Sequence, residues 1–334
     1  MLILVTGGAG FIGSVIATGL IADGHEVVVL DDLRYGHEAA VPRQARFVRA
    51  NIELADEVLA VFSENKFDAV VHLAAEASVG DSVIDPGRFY SVNLQGGINL
   101  LEGMRRSGVM RMIFSSTAAV FGEPDQIPIT ESNSKNPVNA YGETKLAFEK
   151  ALKWYHRSFG IRHVSFRYFN ACGATESQGE DRSKETHLIP ILLQVVQGRR
   201  PELTLFGADY PTPDGTCIRD YVHVADIAQA HLLGLHKIDE LIEGAFNLGS
   251  GTGNSNLEVI ETTRLVTGHP IPFAMASRRP GDPAILVAGS DHAKQVLGWN
   301  PKYTQLKDMI ESAWAWRSSH PNGYAVGSGV EGRG

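Results

Sequence analysis

Two side chains of this protein are suited to moving a proton, Tyr141 and Lys145, and they stand four residues apart. A tyrosine hydroxyl titrates at about pH 10 in water, so it acts as a base near neutrality only where a neighbouring cation stabilises its phenolate. Residues i and i+4 share one face of a helix, and the residues after Tyr141 have helical apolar spacing. Because many surface helices carry such a pair, the prediction of an active site depends on the surrounding motifs.

A glycine-rich stretch, GGAGFIG at residues 7–13, follows the apolar run at the amino terminus. Glycines in this spacing allow a tight turn, a close approach of the backbone to a pyrophosphate, and close packing of a helix on a sheet. The pyrophosphate is then expected at the N-terminus of the next helix, where unpaired N–H groups favour negative charge. The stretch therefore predicts a dinucleotide-binding site.

The identity of the dinucleotide is indicated by Asp31, which ends the apolar run VVVL. A carboxylate here can accept hydrogen bonds from the adenosine ribose and repels a 2′-phosphate, which favours NAD over NADP. Arg34 is the one nearby feature that points the other way, because an arginine suits the extra phosphate. The sequence predicts NAD.

Three hydroxyl side chains, Ser115, Ser116 and Thr117, follow the apolar run RMIF. We expect Thr117, at the carboxyl end of a strand, to hydrogen-bond both a substrate oxygen and Tyr141, with Ser115 and Ser116 as structural hydroxyls. Thr117, Tyr141 and Lys145 would then supply a hydroxyl, a base and a cation. With these groups a tyrosinate can take the proton of a secondary alcohol as hydride leaves its carbon for a nicotinamide.

Short β-branched runs alternate with helical patterns through the first half of the chain, and the runs are almost continuously apolar. This alternation is typical of a parallel sheet covered by helices on both faces. We predict an α/β protein with a Rossmann-like, doubly wound parallel sheet that binds its ligand at the carboxyl ends of the strands. The predicted strands are Leu2–Thr6, Val27–Leu30, Arg46–Arg49, Ala69–Leu73, Arg111–Ser115 and His163–Tyr168, and the predicted helices are 11–23, 54–64, 87–107 and 142–159.

The alternation of strand and helix patterns ends near residue 172, where loop-rich sequence with prolines and glycines begins. We predict an NAD-binding domain over 1–172 and a smaller α/β substrate-binding portion over 173–317. A helix at 225–237 and a strand at Ala245–Leu248 predict that the chain returns to the first domain around 222–250. Residues 318–334 are rich in glycine and serine and are predicted to form a mobile tail.

The composition narrows the range of partners. A formal net charge of −8 argues against nucleic acid or an anionic membrane as the main partner. Cys172 and Cys217 have no metal-ligand spacing and are too few for a disulfide framework, which fits a reducing cytoplasm and predicts no metal site. The apolar amino terminus lacks a cationic start and is interrupted by glycines, so it predicts a buried strand and not a signal peptide or a membrane span.

Several further motifs extend the pattern: HLAAEASVGDS at 72–82, FSSTAAVFG at 114–122, NAYGETK at 139–145, RYFNACGA at 167–174, FGADYPTPDGTCIRDYVHVADIA at 206–228, FNLGSGTGNS at 246–255 and RRPGDPA at 278–284. With the glycine loop, they make the chain resemble the extended short-chain dehydrogenase/reductase family over nearly all of residues 1–317. Within that family the RYFN and DGTCIRDY segments resemble the UDP-sugar 4-epimerases.

The resemblance implies two sets of binding residues. Those implied to surround NAD are Gly7, Gly10, Phe11, Ile12, Asp31, Asn51, Ile52, Leu73, Ala74, Ala75, Asn93, Ser115, Tyr141, Lys145 and Tyr168. Those implied to hold the UDP-sugar are Thr117, Tyr141, Asn170, His187, Leu188, Phe206, Arg219, Tyr221, Arg279, Asp282 and Leu286. Arginines suit the pyrophosphate because their planar groups make forked hydrogen bonds.

The resemblance also implies a reaction without net redox change, in which UDP-glucose and UDP-galactose are interconverted. Tyr141 would remove the 4-hydroxyl proton, C4 would be oxidised by NAD, and the 4-keto sugar would rotate before being reduced on its other face. A homodimer formed through helices near 87–107 and 142–159 is implied as well.

Three positions depart from the family pattern: Asn51 stands where aspartate is common, Ala77 where many relatives have lysine, and Phe121 where tyrosine is common. A nucleotide-sugar dehydratase is disfavoured, because dehydratases place an Asp-Glu pair where this chain has Ala118 and Ala119. Other UDP-sugar epimerases (N-acetylated, pentose or uronate substrates), a decarboxylase and a non-catalytic NAD sensor stay open. Leu286 is implied to limit bulk at the sugar's 2-substituent, and its intermediate size leaves N-acetylated substrates undecided.

Overall fold

The computed structural model describes residues 1–241, 243–279 and 282–324 of the 334-residue chain. The strands are β1 (Leu2–Thr6), β2 (Glu26–Asp31), β3 (Arg46–Arg49), β4 (Ala69–His72), β5 (Arg111–Thr117), β6 (Arg162–Tyr168), β7 (Asn170–Cys172), β8 (Leu203–Phe206), β9 (Ile218–His223), β10 (Glu243–Leu248), β11 (Gly253–Ser255), β12 (Phe273–Ala276) and β13 (Ile285–Leu286). The helices are α1 (Phe11–Ala22), α2 (Ala55–Ser63), α3 (Val79–Ile84), α4 (Pro86–Phe89), α5 (Gly96–Ser107), α6 (Ala140–Phe159), α7 (Leu188–Val196), α8 (Val224–Leu241), α9 (Asn256–Thr267), α10 (Asp291–Leu297) and α11 (Leu306–Ser319).

A seven-stranded parallel sheet forms the centre of the molecule, with strand order β3-β2-β1-β4-β5-β6-β10. Successive residues of a strand point to opposite faces, so Ile3 and Val5 pack with α1 and α8, whereas Leu4 packs with α2, α5 and α6. Burial on both faces explains why the strands are apolar throughout. The predicted doubly wound fold is confirmed.

The predicted strands agree with the structure to within two residues at each end, but the helix predicted over 87–107 is divided. Pro86 begins the short helix α4, Tyr90–Gln95 form a π-helical segment, and α5 follows from Gly96. The π-helical segment contains Asn93, whose buried amide accepts a hydrogen bond from the backbone N–H of Glu76 and donates to the Glu76 carbonyl. A long-range contact of this kind is not encoded in helical periodicity.

Smaller sheets follow the first part of the chain. Strand β9 pairs with β11, β13 and β7, and β8 pairs with β12. Helices α7, α9 and α11 cover a separate core that contains Leu192, Ile260 and Ile310. Strand β10 returns to the first sheet beside β6, in the region where the sequence predicted a return. The domain limits at residues 172 and 317 stay predictions.

The tail predicted over 318–334 falls mostly on residues 325–334, which lie outside the described part of the chain. Of its described residues, Ser318 and Ser319 belong to α11, and Tyr324 is buried against Trp316 and His37. Among the described residues, no helix combines the length and the apolar character that crossing a membrane requires.

Candidate active site

A cleft with a volume of about 220 Å³ opens at the carboxyl ends of β1, β2, β4 and β5. Most residues predicted to surround the dinucleotide line it: Gly7, Gly10, Phe11, Ile12, Asp31, Asn51, Ile52, Leu73, Ala74, Ala75, Ser115, Tyr141, Lys145 and Tyr168. Asn93 is the exception, because it lies behind the cleft and holds the backbone of Glu76. The glycine loop and the Tyr141–Lys145 pair therefore share one cavity.

The glycine loop leaves no room for side chains at two of its positions. Gly7 has a left-handed φ of 71°, and a Cβ there would lie 2.6 Å from the backbone nitrogen of Ala74. A Cβ on Gly13 would lie 2.2 Å from the Gly7 carbonyl oxygen. Helix α1 begins after Gly10 with no side-chain cap and no acidic residue in its first turn. Its first N–H groups are therefore available to an anion such as a pyrophosphate.

Asp31 lies at the end of β2 with its carboxylate fixed at the rim of this loop. One carboxylate oxygen accepts from the backbone N–H of Ala9 at 3.1 Å and the other from the N–H of Leu33 at 2.8 Å. Leu33 adopts a left-handed φ of 62°, which is unfavourable for a residue with a Cβ. Burial raises the pKa of Asp31, while these two backbone hydrogen bonds act in the opposite direction.

Tyr141 lies in the first turn of α6, which packs directly on the turn that follows β5. The side chain of Asn139 caps the helix by accepting from the N–H of Gly142 at 2.9 Å. A Cβ on Gly142 would lie 2.5 Å from the Ala119 carbonyl oxygen, so this glycine permits the close approach. As a result Tyr141 lies beside Thr117, whose hydroxyl acts to lower the pKa of Tyr141.

One positive charge in the same cleft as Tyr141 belongs to Arg182, a residue that the sequence did not indicate. Burial raises the pKa of Tyr141, while the hydrogen bond with Thr117 and the positive charge of Arg182 act to lower it. Arg182 lines the cleft from the segment between β7 and α7. No spacing signal in the sequence connects it with Tyr141, because 41 residues separate the two.

Lys145 is fully enclosed at the base of the cleft. Its ammonium group donates to the Ser115 carbonyl at 2.9 Å and lies 5.0 Å from the centre of the Phe114 ring. Burial lowers the pKa of Lys145 to about 7. The hydroxyl of Tyr168, the predicted cofactor residue on β6, lies 2.8 Å from Nε2 of His231.

A buried ion pair supports the same helix one turn further on. Arg167 donates two hydrogen bonds to Glu149, at 2.9 and 2.6 Å, and Ser116 donates to the same carboxylate at 2.6 Å. Both charged side chains are at most 7% exposed. Glu149 follows Lys145 by four residues, so helical spacing could have placed it on this face, but its partner on β6 could not be inferred in this way.

Four residues predicted for the sugar nucleotide form two pairs outside the cleft. The guanidinium of Arg219, on β9, is paired with Asp282, and it also donates to the Pro283 carbonyl at 2.7 Å. The guanidinium of Arg279 lies 4.2 Å from the centre of the Phe206 ring. The structure thus brings each arginine to a predicted neighbour.

Three further predicted residues lie on the strands beside these pairs. Asn170 on β7 is the register partner of Tyr221 on β9, and its side chain donates to the Asp220 carbonyl at 2.9 Å. Leu286 on β13 is the register partner of Arg219. It packs on the cluster that contains Val120, which belongs to the turn directly after Thr117.

His187 and Leu188 lie at the beginning of α7, where His187 sits between two carboxylates. Its Nδ1 atom is 2.9 Å from Glu185 Oε1 and 3.1 Å from Glu180 Oε1. Burial would lower the pKa of His187, but the charge of Glu180 and hydrogen bonds to Glu180 and Glu185 outweigh it, and the pKa rises to about 9. The nearby Arg182 acts in the direction of a lower pKa.

The raised pKa makes the stabilising effect of His187 dependent on pH. The contribution is fully present below about pH 6.5, where histidine is protonated even in the unfolded chain, and is lost as the pH rises through about 9. The difference in melting temperature between the wild type and His187→Gln should therefore be larger near pH 6 than near pH 10. Thermal scans at both pH values test this, and a constant difference would contradict it.

Comparisons with known proteins agree with this geometry. The family model of the "NAD dependent epimerase/dehydratase family" matches residues 3–249. The UDP-glucose 4-epimerase of Corynebacterium glutamicum is 48% identical, with 96% of each chain covered. The crystal structure of UDP-glucose 4-epimerase from Bifidobacterium longum, with NAD⁺ and UDP, has a TM-score of 0.93 at 37% identity and covers 97% of this chain and 100% of that one. The enzyme from Brucella ovis, with NAD, has a TM-score of 0.90 at 42% identity and covers 94% and 97%.

Proposed function

Since this chain belongs to the NAD dependent epimerase/dehydratase family, we propose that it interconverts UDP-glucose and UDP-galactose by NAD-dependent oxidation and re-reduction at C4 of the sugar. One observation carries the proposal: Tyr141 and Lys145 line the same cleft as the glycine loop, with Thr117 beside Tyr141. A base and a hydroxyl partner thus adjoin a dinucleotide site.

The cleft fits NAD on structural grounds. The uncapped N-terminus of α1 and the crowded glycines at 7 and 13 suit a pyrophosphate, and the Asp31 carboxylate suits ribose hydroxyls. When bound, NAD supplies the reversible oxidation of the sugar at C4. An epimerase must keep this dinucleotide through the whole cycle, because the oxidation of the sugar and its later reduction use the same dinucleotide.

Side chains of the protein are proposed to transfer the proton of the 4-hydroxyl group. In the proposed mechanism the phenolic oxygen of Tyr141 accepts this proton and later returns it, while Thr117 hydrogen-bonds Tyr141 and the sugar. Because burial disfavours the phenolate, the positive charge of Arg182 and that of Lys145 in the same cleft are needed to keep it accessible. Lys145 supplies the second of these cations, and its ammonium is anchored on the Ser115 carbonyl.

The sugar nucleotide is proposed to be held by its UDP end. Arg219 and Arg279 supply two cations for the pyrophosphate, and Phe206 supplies an apolar surface beside Arg279. We assign supporting contacts to Asn170, His187, Leu188, Tyr221 and Asp282. Firm contacts at UDP and fewer at the sugar would allow the 4-keto sugar to rotate and present its other face to the cofactor.

The residues after Thr117 do not support a dehydratase reaction. Such a reaction needs an added acid and base to expel water, and Ala118 and Ala119 begin the 3₁₀ turn directly after Thr117. Neither side chain can exchange a proton. The epimerase reaction needs neither group.

Leu286 is proposed to limit which sugars enter. We expect Leu286→Ala to raise the turnover of UDP-N-acetylgalactosamine relative to UDP-galactose by about tenfold, and Leu286→Tyr to lower this ratio by a similar factor, because the side chain would occupy the space of the 2-substituent. Steady-state kinetics on both substrates measure the ratio, with Leu286→Met as the volume-matched control. Equal changes on both substrates would remove Leu286 from this role.

We further propose a cytoplasmic homodimer. Trp154 on α6 is 64% exposed and Ile84 on α3 is 83% exposed, which is consistent with an apolar contact surface near the helices predicted for dimerisation. Sedimentation equilibrium at micromolar concentration tests the dimer, and a monomer would contradict it.

The function itself is tested with the purified wild-type protein. Incubation with UDP-galactose should yield UDP-glucose, separable by ion-exchange chromatography, without added NAD. Mass spectrometry of the small molecules released on denaturation should detect NAD. A protein without turnover on any UDP-sugar would favour the sensor, and a protein that reduces added NAD in proportion to the UDP-sugar consumed would favour a dehydrogenase.

A further inference from the structure

The guanidinium of Arg34 lines the cofactor cleft and is surrounded by carboxylates. It donates to Glu76 Oε1 at 3.0 Å and to Glu53 Oε2 at 3.0 Å, and it lies 3.2 Å from Asp32 Oδ2. The three acidic residues follow three strands of the parallel sheet, since Asp32 comes after β2, Glu53 after β3 and Glu76 after β4. Arg34, the residue that would suit a 2′-phosphate, is thus paired with three carboxylates.

A second arginine completes the network. Arg88 donates to Glu76 Oε1 at 2.8 Å and to the Tyr35 hydroxyl at 3.0 Å, and Tyr35 donates to Glu76 Oε2 at 3.0 Å. Glu76 is only 4% exposed, so its charge is held in place and poorly screened. Three carboxylates face two guanidinium groups, which leaves the network with one net negative charge.

Glu53 and Glu76 have contacts that do not depend on Arg34. Asn93 holds the Glu76 backbone through both its N–H and its carbonyl group. Ser91 donates to Glu53 Oε1 at 2.7 Å, and Asn99 donates to the Glu53 carbonyl at 3.1 Å. Contacts other than those with Arg34 therefore hold both glutamates in place.

We propose that Glu53 and Glu76 act with Asp31 in selecting NAD over NADP, because they occupy the donors with which Arg34 would otherwise bind a 2′-phosphate. A 2′-phosphate would have to displace two charge-assisted hydrogen bonds and enter a region of net negative charge. Asp31 then accounts for only part of the preference for NAD over NADP. Arg34 has the donors to bind a 2′-phosphate, but hydrogen bonds to the two glutamates occupy them. The inference rests on the proposed function in one respect, namely that the cleft holds NAD.

The test compares the wild type with three variants. The first carries Asp31→Ser alone, and the second adds Glu53→Gln and Glu76→Gln. The third adds Arg34→Ala to these three changes. Each protein is incubated with an equal excess of isotope-labelled NAD and NADP until exchange of the bound dinucleotide is complete, then freed of unbound nucleotide and denatured. Mass spectrometry of the released labels gives the ratio of NADP to NAD. This readout does not depend on catalysis.

Asp31→Ser alone is expected to raise the NADP to NAD ratio modestly. Adding Glu53→Gln and Glu76→Gln should raise it at least about tenfold further, the effect of one charge-assisted hydrogen bond, and Arg34→Ala should abolish this gain. Glu102→Gln, which removes a surface partner of Arg105, is the control and should leave the ratio unchanged.

The inference is overturned if the glutamine changes leave the ratio as in Asp31→Ser, or if the gain persists with Arg34→Ala. Loss of both labels from the glutamine variant would overturn it as well, because the network would then be structural. A wild-type protein that releases no dinucleotide on denaturation, labelled or unlabelled, contradicts the proposed function and with it the inference. Retention of NAD by the wild type together with an unchanged ratio in the variants contradicts the inference alone.

Discussion

Tyr141→Phe is expected to lower the kcat for UDP-galactose conversion by about a hundredfold to ten-thousandfold, the contribution usual for a positioned general base. The ring is retained and only the hydroxyl is lost, so the contact of the ring with Phe89 is kept. Bound NAD should be retained, because the glycine loop and Asp31 are unchanged. Coupled kinetics with UDP-galactose measure kcat, and mass spectrometry of the denatured protein measures NAD.

The matched control is Tyr155→Phe on the same helix. Its hydroxyl donates to Glu102 on α5 at 2.8 Å and does not line the cleft, so its loss should leave kcat within a factor of about two. A Tyr141→Phe protein that retains more than about a tenth of the wild-type kcat would remove Tyr141 from the role of base. Loss of NAD from that variant would instead indicate a binding role.

Arg167→Met is expected to lower the free energy of unfolding by about 3–5 kcal/mol. The change leaves the Glu149 carboxylate buried without the two hydrogen bonds it receives from Arg167, and only Ser116 still donates to it. A buried charge without its partner keeps the full cost of desolvation. Equilibrium unfolding in urea, followed by circular dichroism, measures the loss.

Two controls separate this effect from that of losing an ion pair in general. Combining Arg167→Met with Glu149→Leu removes both charges and should recover most of the stability. Arg111→Met breaks the pair with Asp239, which is about half exposed, and should cost less than about 1 kcal/mol. If Arg167→Met cost no more than Arg111→Met, the interpretation of Glu149 as an uncompensated charge would be wrong.

Much of the fold could be predicted from local sequence, because parallel strands buried on both faces must be apolar along their whole length. Strands β1 and β3 have the predicted limits, and β2, β4, β5 and β6 differ by at most two residues at an end. The division of the helix predicted over 87–107 could not be predicted, because the π-helical segment accompanies the contact of Asn93 with Glu76, which is 17 residues away.

The site residues could likewise be predicted where their pattern is local, and not where it depends on contacts between distant parts of the chain. Spacing of i and i+4 identified Tyr141 and Lys145, and the glycine loop identified the cofactor position, because both patterns are local. The sequence could not indicate that Arg182 lines the same cleft as Tyr141, nor that Asn93 does not line it. The roles of the individual site residues stay predictions.

What the sequence by itself determined is therefore the kind of chemistry: a dinucleotide loop, a carboxylate at the end of β2, and a tyrosine and a lysine on one helical face. What only the tertiary structure decided is the electrostatic surroundings of those groups. Arg34 could favour NADP by its position in the sequence, yet in the fold it is held by Glu76, 42 residues away. The physical reason is that the free energy of a charge depends on the burial and on the partners that the fold supplies. Chain folding sets both through contacts between residues distant in sequence.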